Sequence, residues 1–190
     1  MNANKFRLLR VFFLMNFSQN HDVAVKMYED AYEILKDHEK YKDDYFYNHM
    51  VDNYQNAILF LGQGYQSLEQ NDKTMKFLQE GLEYDLKQGK KLNIAKSKNA
   101  IGSLLRDMKK YEEAEKMLLE ALDLKKEAGI AETDRTMLAS YMEFVNLYNM
   151  SEEVEKADKY FSLIESKFSD FVGRNAQVRN FFEQIRKHLN

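Results

Sequence analysis

Asparagine and glutamine recur in this chain in one helical register, which also holds a lysine, a serine and an arginine. Lys96, Asn99, Ser103 and Arg106 share one register, which also picks out Asn56, Gln63 and Gln66 upstream and Asn146 and Asn149 downstream. Amide side chains donate and accept at once, which suits the exposed N–H and C=O groups of an extended peptide. Lys96 and Arg106 add charge that would hold a peptide carboxylate or an acidic side chain. Taken singly, each is an ordinary solvated helix residue; their recurrence makes them candidates.

Bond-making chemistry finds little support. His21, His38, His49 and His188 are scattered and lack the paired spacing of a helical metal site. Gly62-Gln63-Gly64 sits inside a helical pattern rather than after a strand, so it is no nucleotide loop. Asp43-Asp44 and Glu112-Glu113 are adjacent pairs, which diverge on a helix and cannot share acid–base work. No serine or threonine stands in a nucleophile motif. The expectation is a protein that is not an enzyme and needs no cofactor or metal.

Composition narrows the partners. The 190 residues carry a net charge of −3, without the basic excess that nucleic-acid binding requires. There is no cysteine, and no convincing export signal: the apolar run Val11-Phe12-Phe13-Leu14-Met15 is short and is followed by Asn16. A cytoplasmic protein is expected. No apolar run approaches the ~20 residues needed to span a bilayer, so no membrane role is expected. Proline is absent and glycine numbers only 7, which points to an all-α fold of uninterrupted helices.

The elements that must position the candidates emerge from a repeat. Gly62, Leu78, Gly81, Leu82 and Gly89 reappear forty residues later as Gly102, Leu118, Ala121, Leu122 and Gly129. Between these markers each copy reads as two amphipathic helices joined by a polar turn, the pattern of a stacked helical array. A single domain over 1–190 is expected, with helix pairs at about 4–38, 42–89, 91–129 and 132–168 and a closing helix at about 174–189. Its apolar stripes include Val23, Met27, Tyr28 and Ala31 in the first pair, with Leu78, Leu82 and Leu86 in the second. Leu92, Ala95, Ile101, Leu104 and Leu105 form the stripe of the third. Asp72 and Ser151 are expected at helix starts, and Gly89 and Gly129 at left-handed helix ends. Ala157, Phe161 and Ile164 correspond to Ala114, Leu118 and Ala121.

The segment running through Asn99, Gly102, Leu105, Tyr111, Ala114, Leu118, Ala121 and Leu122 resembles a tetratricopeptide repeat. In that family a small residue lets the paired helices touch, here Gly102, and a tyrosine packs the turn, here Tyr111. Small residues on the second helix, here Ala114 and Ala121, admit the next repeat. The resemblance implies a right-handed solenoid whose first helices line a concave groove, so that the nine candidate residues face a ligand. The period is nearer forty than the usual value of about thirty-four, implying longer helices. Proline-poor repeats of this length with asparagine-rich inner helices also resemble the sensor domains of the Rap/PlcR-type regulators of Gram-positive bacteria. Those bind short signalling peptides in quorum sensing.

The function expected is a regulatory binding module that takes an extended peptide or partner tail along its inner face. The alternative is an assembly scaffold that binds folded proteins or pairs with itself, as a homodimer, through the C-terminal helices around Phe181 and Phe182.

Overall fold

Helices account for the regular structure of the computed structural model, which describes residues 21–42, 47–176, 179, 180 and 183; no strand occurs among them. In chain order they are α1 (His21–Leu35), α2 (Tyr47–Ser67), α3 (Asn71–Gln88), α4 (Lys91–Asp107), α5 (Tyr111–Glu127), α6 (Arg135–Met150), α7 (Val154–Lys167) and α8 (Ser169–Arg174). A short 3-10 turn, His38–Tyr41, follows α1. None of the described helices is long and apolar enough to cross a membrane. The first helix expected in the opening pair, and most of the closing helix expected at 174–189, lie outside the described residues.

The chain divides into two compact units, Met1–Tyr84 and Asp85–Asn190. In the first, Val25, Tyr28, Ala31 and Leu35 of α1 bury a stripe against Tyr54, Ala57, Ile58, Leu61 and Tyr65 of α2. Spacing of three and four places these residues on one face of each helix. Gly64 permits the close approach: a Cβ there would lie 2.5 Å from Val25 Cγ2. Phe77 of α3 joins the same core, stacked on Tyr65 at 5.7 Å between ring centroids. Val23 faces solvent instead of joining the stripe, because the buried face of α1 is centred on Val25 and Tyr28.

In the second unit α4 pairs with α5, and α6 with α7. Gly102 of α4 meets Leu118 of α5 so closely that a Cβ at 102 would sit 2.8 Å from Leu118 Cδ2. Ala114, Leu118 and Ala121 are buried, and so are their counterparts Ala157, Phe161 and Ile164 in the next pair. Burying a leucine- or phenylalanine-sized side chain contributes about 1.5–3 kcal/mol, so these matched positions carry much of the unit's cohesion. Helix α6 packs on both α4 and α5, placing the two first helices side by side. Phe144 of α6 stacks on Tyr160 of α7 at 4.4 Å.

The turns repeat as well. Glu69, Lys109 and Glu152, each between the two helices of a pair, have φ of 56°, 60° and 62°. In each, the next N–H reaches back five residues: Gln70 to Tyr65 O, Lys110 to Leu105 O, Glu153 to Tyr148 O. These are Schellman turns, built here with charged residues in the left-handed position. Gly89 and Gly129 take positive φ at the ends of their helices, as expected from the sequence.

Several expectations need correction. Leu86 and Leu92 are exposed, and Ile94 takes the core position next to Ala95. Ser151 does not start a helix; it caps the end of α6, and α7 begins at Val154. Asp72 lies in the first turn of α3, one residue inside its start. Helix α6 has a side-chain cap in Asp134, whose carboxylate accepts 2.7 Å hydrogen bonds from the backbone N–H and hydroxyl of Thr136. Those two bonds hold the Asp134 carboxyl below its ordinary range.

Candidate functional site

Helices α4 and α6 bring several of the candidate residues together. Ser103 of α4 and Glu143 of α6 touch: Ser103 Oγ donates to Glu143 Oε2 at 2.7 Å. The same oxygen accepts from Arg106 Nη1 at 2.6 Å. Arg106 also donates through Nε and Nη2 to Asp107 Oδ1, at 3.0 and 2.9 Å. Its guanidinium is therefore flanked by two carboxylates and is mostly shielded, with 14% of the side chain exposed.

Towards the start of both helices lies a second polar group. Asn99 Nδ2 stands 3.5 Å from Ser140 Oγ, and its Oδ1 is buried without a hydrogen-bond partner among the described residues. Lys125, from α5, reaches the same hydroxyl: Nζ donates to Ser140 Oγ at 2.6 Å and to Thr136 O at 2.9 Å. Only 4% of Lys125 is exposed. Burial pushes its ammonium below the ordinary lysine range, opposed by the charge of Asp134 and aided by that of Lys96. Lys96 itself is exposed at the rim of this group.

Of the other candidates, Asn146 is half-buried on α6 and Asn149 is exposed near its end. Gln63 and Gln66 are exposed on α2, in the first unit. Asn56 lies within α2, and its side chain is outside the described set. The structure thus joins Ser103 to Arg106 through Glu143, and sets Asn99 beside Ser140, as two separate groups within the second unit.

Sequence reasoning missed Glu143, Ser140 and Lys125. Glu143 had no repeat signal: at the 43-residue offset that relates Ala114 to Ala157, the counterpart of Ser103 is Asn146. Lys125 had none: it sits beside Lys126 in what reads as the solvated, cation-rich last turn of a helix.

Residues 94–128 match the family described as Tetratricopeptide repeat, a stretch that covers most of α4 and all of α5. The chain is tetratricopeptide-like. No curated protein matches it. The matched repeat contains Gly102, Ala114, Leu118 and Ala121, the positions that the structure shows in contact or fully buried. Because tetratricopeptide repeats mediate protein–protein interactions, this tetratricopeptide-like chain is a binding module.

Proposed function

We propose that the chain is a non-catalytic, cytoplasmic binding module that takes an extended peptide, or the flexible tail of a partner protein, along the face formed by α4 and α6. The observation that carries this reading is the pair of polar groups bridging two neighbouring first helices, Asn99–Ser140 and Ser103–Glu143–Arg106. Side chains that both donate and accept are what an extended backbone needs along its length. The sharper version is a regulatory peptide sensor, supported by the resemblance of the asparagine-rich inner helices to Rap/PlcR-type sensor domains.

The test is affinity capture from the native host. Wild-type chain is run beside an Asn99→Ala/Asn146→Ala double variant whose fold is checked by circular dichroism. A short peptide held by the wild type and lost by the variant supports the sensor. Folded proteins retained equally by both replace it with the scaffold reading. A Phe181→Glu variant that then loses them would place the contact at the C-terminal segment.

A further inference from the structure

Charge is distributed unevenly along this face. At the Lys96 end stand two cations, the exposed Lys96 ammonium and the buried Lys125 ammonium. Among the described residues neither forms an ion pair, and Lys125 is satisfied only by a hydroxyl and a carbonyl. At the other end the single guanidinium of Arg106 meets two carboxylates, so that cluster has an excess of one negative charge. Arg106 is thereby spent: a ligand carboxylate arriving there would meet Glu143 and Asp107 before it met an unshared N–H. Glu143 has the opposite character. Its Oε2 accepts from both Ser103 and Arg106, whereas its Oε1 has no partner among the described residues, and 29% of the side chain is exposed.

We propose that this face selects an extended peptide carrying an acidic residue opposite Lys96 and a basic residue opposite Glu143. The spacing follows from helix geometry. Lys96 and Ser103, which holds Glu143, are two turns apart on α4, about 10 Å at 1.5 Å per residue. An extended chain advances about 3.3 Å per residue, so the two ligand charges lie about three residues apart. Glu143 is held in place by Ser103 and Arg106 before any ligand arrives, so little side-chain freedom is lost when a cation binds it. The neutralised Arg106 serves to position Glu143.

The assignment rests on the α4–α6 face being the ligand face, and the experiment separates the two claims. A random-peptide phage library is panned against the purified full chain, its Glu143→Gln variant and its Lys96→Gln variant. The wild type is expected to enrich peptides with an acidic and a basic residue about three positions apart. Glu143→Gln loses the basic preference alone, and Lys96→Gln the acidic preference alone. In fluorescence anisotropy, one enriched peptide binds Glu143→Gln about tenfold more weakly, the scale of one charge-assisted hydrogen bond. Replacing that peptide's own basic residue by a neutral one should cost the variant no further affinity. Should Glu143→Gln lose its helical circular dichroism, wild-type affinity for the charged and the neutralised peptide, compared across salt, reads the same preference. Enriched peptides without charge preference, or a basic preference that survives in a folded Glu143→Gln, overturn the polarity and leave the groove standing. Failure to enrich any peptide overturns both.

Discussion

A lysine buried with only a hydroxyl and a carbonyl for company is a costly way to fill space. Lys125 takes its ammonium out of water, and its four-carbon stem packs between α5 and the start of α6. Because the folded chain disfavours its charged form, the unfolded state binds more protons between its lowered pKa and the ordinary lysine value of 10.5. Lys125 therefore makes stability rise with pH across that window. Lys125→Met keeps the stem and removes the charge. Chemical-denaturation midpoints should show it as stable as the wild type at neutral pH, or up to ~1 kcal/mol more stable. Its stability should lack the wild type's rise towards about pH 9.5. A loss of several kcal/mol at neutral pH would show that the ammonium's two hydrogen bonds outweigh its desolvation.

Pairs of helices are set by how closely their backbones approach, and at Gly102 the approach of α4 to α5 leaves no room for a side chain. A methyl group there would collide with Leu118 Cγ and Cδ2, both at 2.8 Å, and Leu118 is 1% exposed with little room to yield. Gly102→Ala is expected to lower stability by about 1–3 kcal/mol, the usual penalty for overpacking. That outweighs the ~1 kcal/mol that alanine gains over glycine in helix propensity. Thermal unfolding followed by circular dichroism decides it, and an unchanged or raised melting temperature would contradict the close contact. At Gly62, the equivalent position forty residues earlier, a Cβ would lie 3.1 Å from Leu78 Cδ2, a looser fit. The same substitution should cost less there.

Among the described residues, four tyrosine hydroxyls are tied to carboxylates. Tyr32 and Tyr54 both donate to Glu80, Tyr65 to Glu29, and Tyr148 to Glu115. Burial first, and then the bonded carboxylate, raises the pKa of each hydroxyl, that of Tyr65 to about 12 and the others further. A group whose folded pKa lies above its unfolded value supports the fold fully below the unfolded value, here 10.0, and loses that support as pH climbs through the folded one. Stability should therefore fall steeply above about pH 10. Part of the phenolate absorbance should appear only as the helical circular dichroism disappears. A complete phenolate signal from a chain still fully helical would contradict these bonds.

Much of the architecture was legible in one dimension because helices report themselves locally. Apolar spacing, glycine at Gly89 and Gly129, and the forty-residue recurrence of Leu118 and Ala121 follow from backbone geometry that repeats every turn. Matched residues such as Ala157, Phe161 and Ile164 were found by that arithmetic alone and are buried. Where the expectation failed, at Leu86 and Leu92, the rule that apolar residues go inside was applied to exposed positions next to helix ends. The candidate site divides along the same line. Sequence register placed Asn99, Ser103 and Arg106 on one helix face, since a single helix determines that. Only the packing of α6 beside α4 decided that Glu143 would take up Arg106 and that Lys125 would be buried behind Ser140. Side-chain charge is neutralised, shielded or left open by groups fifteen to forty residues away in sequence and under 3 Å away in space. No local pattern carries that information.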